Sequence, residues 1–216
     1  GLDDCRKSLF ERLYHSVPKC CIHEFTKQGR MHPEVAEFAN KQFYNGQLQD
    51  CGLQHQVLAI PQPRVLFYTC TPSSDSDLLS VTSRKSSQKN SDTKTLQAGI
   101  PSAKLNLDEA QLIVHLAEHI YKEIQHRGVP FDLDKELGII VPYRHQITMV
   151  RSLLQTSAYP VLANVTIDTV ERFQGSEKNV IIYGFTVSRP SQLSFLCDSQ
   201  FIDQQGLLID RKLNVA

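Results

Sequence analysis

Apolar residues recur along this chain in two periods, and each period marks out elements. Leu9, Phe10, Leu13 and Val17 fall at helical spacing within residues 4–17, and Pro18 ends the run. Residues 21–25, Cys-Ile-His-Glu-Phe, read as a short strand-like piece. Pro33 suits the first turn of a helix, and Val35, Phe38, Ala39 and Phe43 recur on one face of residues 33–44. Asn45-Gly46 then turns the chain. Residues 64–70, Arg-Val-Leu-Phe-Tyr-Thr-Cys, predict a buried strand. A long helix is predicted over 108–126, where Ala110, Ile113, Val114, Ala117, Ile120, Tyr121 and Ile124 share one stripe. Beyond it come a strand at 138–142, a helix from Tyr143 to Leu154, a strand at 165–169 and another at 179–185.

Strands alternating with helices, several of the strands apolar on both faces, predict an α/β fold with a parallel sheet covered on both sides. Ligands of such sheets sit at the carboxyl ends of the strands. That rule collects the polar clusters. Gln28-Gly29-Arg30 follows one strand, Pro142-Tyr143-Arg144 another, and Thr169 through Glu177 a third. The last interrupts two apolar runs with a glutamine, a glycine and a glutamate, which building a core does not require. Helices opening right after Pro33 and Pro142 would also aim free backbone N–H groups at that edge, an arrangement suited to phosphate.

Composition narrows the classes. The 216 residues are 41% hydrophobic and 21% charged, with a formal net charge of zero, as in an ordinary globular protein. Any basic surface for nucleic acid must therefore be local. No apolar run reaches the length of a membrane span, so no membrane partner is expected. The six cysteines form no C-x-x-C pair. Adjacent Cys20 and Cys21 with His23 make a poor tetrahedral zinc set, so reduced thiols, a cytoplasmic setting and no metal site are expected. The Asp132, Asp134, Glu136 cluster reads as a solvated strand entry rather than a nuclease centre. Residues 73–98, rich in serine and threonine, predict a flexible insertion within one domain. Residues 210–216 read as the start of a helix, so the sequence is expected to be a piece of a longer protein.

Four segments, in order, carry a family resemblance. Arg30-Met-His-Pro-Glu-Val-Ala-Glu-Phe-Ala-Asn with Phe43-Tyr44, Gly46 and Leu48 resembles the motif that opens the second RecA-like domain of superfamily 1 helicases. The likeness is closest to the group containing the nonsense-mediated-decay helicase and the Okazaki-fragment nuclease-helicase. Val141-Pro-Tyr-Arg-His-Gln146 is similar to their strand–helix motif, and Thr169-Val-Glu-Arg-Phe-Gln-Gly-Ser-Glu177 to their motif V. Arg211-Lys-Leu-Asn-Val-Ala216 is similar to the first half of their motif VI.

The resemblance implies a RecA-like, P-loop NTPase-type fold of three layers, α/β/α, with a mainly parallel sheet. It implies that Arg30 reaches the γ-phosphate of ATP, as a planar and permanently charged fork can. It places Gln28, Gln174, Gly175 and Glu177 at the nucleotide, with Gly175 admitting the terminal phosphate and Glu177 accepting from a ribose hydroxyl. It places Pro142, Tyr143, Arg144, Thr169 and Val170 along single-stranded DNA or RNA. His32 is a helix-start residue rather than a catalyst.

One position departs from the pattern: Gly29 stands where the family has an aromatic that stacks on adenine. The chain also contains no G-x-x-x-x-G-K-[ST] loop and no acidic Mg²⁺-binding strand. ATP and Mg²⁺ would then be held with an N-terminal RecA-like domain, and these residues alone would bind neither. The expected function is the C-terminal motor domain of an ATP-dependent helicase. The alternatives are a non-catalytic helicase-like module that binds nucleic acid or a protein, or a nucleotide-binding domain of another NTPase. Residue types alone also leave Arg30 as a partner of Glu34, Tyr143 as a core residue, and Arg144 and Glu177 as solvated side chains.

Overall fold

The computed structural model of the chain describes residues 9–60, 62–69, 104–187 and 192. The insertion expected at 73–98, residues 211–216, and Cys5, Cys70 and Cys197 lie outside the described residues. The chain divides into two compact units after Phe67.

The first unit opens with helix α1, Leu9–Ser16, and a single 3₁₀ turn, Lys19–Cys21. Strand β1 is Lys27–Gln28, and it pairs in parallel with β2, Gln49–Asp50. Helix α2, Pro33–Phe43, lies between them in sequence, and helix α3, Gln54–Val57, follows β2. Local chemistry explains the entry to α2. His32 caps it, its Nδ1 accepting from the Glu34 amide at 3.2 Å, with Pro33 in the first turn. Its exit is a turn with Asn45 at φ 51° and Gly46 at φ 72°.

Three expectations in this unit are corrected. No strand forms at 21–25; the pairing strand is the polar Lys27–Gln28. Over the described residues of 64–70 there is no strand either, and Phe67 is 80% exposed. Strand propensity expresses packing against neighbours, and among the described residues no strand pairs with this run. In α2 it is Ala36 that is buried, while Val35 and Phe38 face outward.

The second unit holds α4, Leu107–His126; β3, Leu137–Ile140; α5, Arg144–Gln155; β4, Thr166–Asp168; α6, Val170–Phe173; and β5, Val180–Tyr183. The three strands are parallel, in the order β4-β3-β5. Their pleat sorts the side chains. Leu137, Ile139, Val141, Ile167 and Ile182 join Ala110, Ile113 and Ala117 of α4 and Val150 and Leu154 of α5 in one core. The α4 stripe is therefore the one its periodicity predicts. Ile140 points to the opposite face and packs with Val170 and Phe173 of α6.

Gly138 makes that second contact possible. A Cβ there would lie 2.8 Å from Phe173 Cε1, 2.9 Å from Lys178 Cγ and 3.0 Å from Ile181 Cδ1. Gly138→Ala is expected to cost about 1–3 kcal/mol by overpacking a filled site. Thermal unfolding measures it, with hydrogen exchange at Arg172 and Phe173 rising as α6 is pushed away; an unchanged melt and unchanged exchange would contradict this packing.

Candidate functional site

In the first unit the polar loop Gln28–Met31 leaves the carboxyl end of β1. Side chains tie its main chain down. Gln28 folds back on its own loop: its Oε1 accepts from the amides of Arg30 (3.0 Å) and Met31 (2.8 Å), and its Nε2 donates to Met31 O (2.8 Å) and to Asp50. Gln56, 2% exposed on α3, donates to Gln28 O and Met31 O, both at 3.0 Å, and accepts from Leu53 N at 3.1 Å. His55 Nε2 lies 2.9 Å from Gly29 O. The Arg30 side chain is exposed. Beside Gly29, an added Cβ would stand 3.1 Å from Leu53 Cδ1, so Leu53 fills the side of the loop where the family's aromatic would begin.

In the second unit the carboxyl ends of β3 and β4 are neighbours, joined by the Val141 amide donating to Asp168 O at 3.1 Å. From β3 the chain passes to α5, on the face of the main core. From β4 it passes to α6, on the opposite face. Adjacent strands whose connections leave to opposite faces define a topological switch point, the crevice in which open α/β sheets bind ligands. Pro142, Tyr143 and Arg144 follow one of these strands at that edge, Thr169 and Val170 the other. Pro142, Tyr143 and Thr169 are half-buried, Arg144 is exposed and Val170 is buried. Tyr143 precedes α5 without a side-chain cap, so the first-turn amides open on this edge. Asp168 accepts from the Thr169 amide at 2.9 Å and pairs with Arg172 at 3.4 Å.

The third cluster is divided. Thr169 and Val170 stand at the carboxyl edge, but α6 is only four residues long and carries the chain back across the sheet. Lys178 and Asn179 are already at the amino edge: Lys178 Nζ bonds Thr166 Oγ1 at 3.0 Å and the carbonyl of Asp134, and Asn179 binds Glu136 at 2.9 Å. The exposed residues Gln174 to Glu177 make the turn between the two edges, so the expectation that all of 169–177 lines the carboxyl edge is corrected. Gly175 adopts φ 86°, which favours glycine, and beyond its two chain neighbours no atom lies within 4 Å of where its Cβ would be. Asp132, Asp134 and Glu136 sit at the amino edge as strand-entry residues. Among the described residues no group of three His, Cys, Asp or Glu is placed to hold a metal, and no helix is long and apolar enough to cross a membrane.

Sequence reasoning missed a buried network beside the crevice. Gln146, fully buried in the first turn of α5, accepts from Asn106 N at 2.9 Å and donates to Asn106 O at 2.8 Å and Glu109 at 3.3 Å. The Glu109 carboxylate also accepts from the amides of Phe185 (2.8 Å) and Thr186 (2.8 and 2.9 Å), which follow β5. Gly184 gives it room, since a Cβ there would be 3.2 Å from the carboxyl carbon. Burial raises the Glu109 pKa, and the Thr186 and Phe185 amides pull it back. The Asn106-x-x-Glu109 spacing at a helix start was the available signal: Asn106 caps α4, accepting from Glu109 N at 3.0 Å.

A parallel sheet flanked by helices is an α/β arrangement that a P-loop-like domain shares. The family AAA_12, an AAA domain, matches residues 5–216. The chain belongs to this AAA_12 family, and the helicases among its relatives support a domain of the superfamily 1 helicase type. It is 29% identical over 216 residues to the DNA polymerase alpha-associated DNA helicase A of Saccharomyces cerevisiae, covering 97% of this chain and 28% of that protein. It is 28% identical over 192 residues to the DNA replication ATP-dependent helicase/nuclease DNA2 of Mus musculus, covering 84% and 17%. With Helicase SEN1 of Saccharomyces cerevisiae it shares 26% over 157 residues, covering 72% and 6%. The chain thus spans less than a third of the length of each of these relatives.

Proposed function

We propose that this chain is the C-terminal RecA-like motor domain of an ATP-dependent DNA or RNA helicase, working opposite an N-terminal RecA-like domain in the cytoplasm. The observation that carries it is the switch point: the segments that resemble the strand-binding motifs, Pro142–Arg144 and Thr169–Val170, leave the adjacent carboxyl ends of β3 and β4. The uncapped amides of α5 offer donors to phosphate there, and Arg144 adds a charge.

On this reading the loops serve two ligands. Thr169 meets the nucleic-acid backbone, and the same segment continues to Gln174, Gly175 and Glu177 on the nucleotide side. The open space beside Gly175 and its left-handed backbone fit close approach by a terminal phosphate. Glu177 accepts from a ribose hydroxyl, and Arg30 neutralises charge that develops on the transferring phosphoryl group. ATP with Mg²⁺, when bound, supplies the free energy of hydrolysis. The chain's own part is to orient, to neutralise and to link that site to the strand. With Leu53 beside Gly29, adenine selectivity does not come from stacking at this position.

Fluorescence anisotropy with labelled homopolymers tests the strand site. Binding is expected to be weak, salt-dependent and nearly equal among sequences, because phosphate contacts carry little sequence information. Arg144→Ala should weaken every homopolymer alike and lower the salt slope by about one. A strong preference for one base sequence, or an unchanged salt slope, would remove the crevice from the nucleic-acid path.

A further inference from the structure

We infer that Gln56, supported by His55, is a positioning residue that fixes the loop carrying Arg30; the inference rests on the nucleotide role proposed for that arginine. From Gln28, the last residue of β1, the chain to Met31 is irregular and its arginine is exposed, so apart from Gln28 O, which also accepts from Cys51 N at 3.0 Å, its main chain could have been left to water. Instead five of its main-chain polar groups are held by side chains. Arg30 N and Met31 N are held by Gln28, Gly29 O by His55, Gln28 O by Gln56, and Met31 O by Gln28 and Gln56 together. Gln56 is the one buried polar residue among the described residues of this unit. Burying a carboxamide forfeits its hydration and its rotamer freedom, and it persists only where its hydrogen bonds are all made.

Gln56 makes three hydrogen bonds, all to main chain, two of them across 25 and 28 residues of sequence. The helix that carries it is only four residues long, and His55 and Gln56 both point back to the same loop. The product of this arrangement is a fixed pair of Cα positions on either side of one outward-facing guanidinium. A group that must meet charge only as it develops gains by being held in place beforehand, and a displacement of about 1 Å can cost roughly 10²-fold in rate. Gln28 then contributes as the second strut of the loop, through both ends of its carboxamide.

The test is a double-mutant cycle on steady-state ATPase in the full-length protein that carries this chain, with saturating single-stranded nucleic acid. Gln56→Met keeps the length and removes all three bonds. It is expected to lower kcat by roughly ten- to a hundredfold while KM for ATP changes less than about threefold. In the Arg30→Ala background the same substitution should lower kcat no further, because a residue acting through Arg30 has nothing left to place. His55→Ala, an exposed change that frees only Gly29 O, should give a smaller loss with the same non-additivity and keeps the test open if Gln56→Met folds poorly. Equal losses in both backgrounds would make Gln56 and His55 general fold residues and overturn the inference. So would full activity of Gln56→Met beside an inactive Arg30→Ala. If Arg30→Ala is itself fully active, the nucleotide role fails first and the positioning role with it.

Discussion

Arg30→Ala in the full-length protein is expected to lower kcat by about 10³–10⁵, the range for an arginine serving a phosphoryl-transfer transition state. At 1.36 kcal/mol per tenfold this is about 4–7 kcal/mol of barrier. The competing view, an arginine that merely pairs with Glu34 four residues on, predicts about 0.2–0.5 kcal/mol of stability and almost nothing in rate. Arg30 precedes α2, which starts at Pro33, and a Glu34 carboxylate oxygen accepts from the Arg64 amide at 3.3 Å. KM for ATP should change far less than kcat, because the charge being neutralised develops mainly in the transition state. Steady-state ATPase with saturating single strand, beside a melting curve, decides between the two. A folded Arg30→Ala protein that keeps more than about a tenth of the wild-type kcat would remove the γ-phosphate role, since a tenfold loss is only about 1.4 kcal/mol.

What could be read in advance follows from how far each signal reaches along the chain. Helix α4 was legible because Ala110, Ile113 and Ala117 repeat within one element, and the strand expected at 138–142 because its run Ile139-Ile140-Val141 is apolar on both faces, the structure placing β3 at Leu137–Ile140. That Pro142–Arg144 and Thr169–Val170 follow the carboxyl ends of their strands was legible too, since the carboxyl-edge rule needs only the order of strands and helices. The rule failed at Gln174–Glu177 because it takes no account of helix length: a helix as short as Val170–Phe173 returns the chain to the other edge within a few residues. The run at 64–70 failed for a different reason. Its apolar residues satisfy a strand pattern, but a strand also needs a pairing neighbour, which sequence does not name. Gln56 and Glu109 were the least legible. Their meaning lies in partners 28 and 76 positions away, Gln28 and Phe185, and a polar residue in a polar stretch carries no mark of being buried.

Glu109→Ala should be among the most damaging substitutions in the second unit. It strips the acceptor from the Phe185 and Thr186 amides and one contact from the buried Gln146. A buried donor left unpaired costs about 1–3 kcal/mol, so a loss of roughly 3 kcal/mol is expected for the two amides. In a protein of this size that is roughly 6–12 °C in Tm. Thr186 makes the loss specific. A β-branched residue at φ 54° is strained, and both Glu109 oxygens hold its amide there, so the exit of β5 should loosen first. Hydrogen exchange should therefore rise at Phe185 and Thr186 more than at Ile139, in the strand centre.

Glu109→Gln separates shape from charge. It keeps an acceptor for both amides, so most of the stability should remain, and what changes is the dependence on pH. Burial raises the folded-state pKa of Glu109 above its unfolded value, so the folded protein holds this proton more tightly than the unfolded chain does. The contribution is fully present below the unfolded carboxylate value and is lost as pH rises through the raised folded value. Wild type should thus gain stability relative to Glu109→Gln as pH falls through that window, while other carboxylates affect both proteins equally and cancel. Denaturant unfolding of the pair across pH 4–8, read as a difference, measures this. A difference that moves the opposite way, with wild type losing ground on acidification, would mean that the amides of Phe185 and Thr186 outweigh burial and hold Glu109 as a stabilised anion.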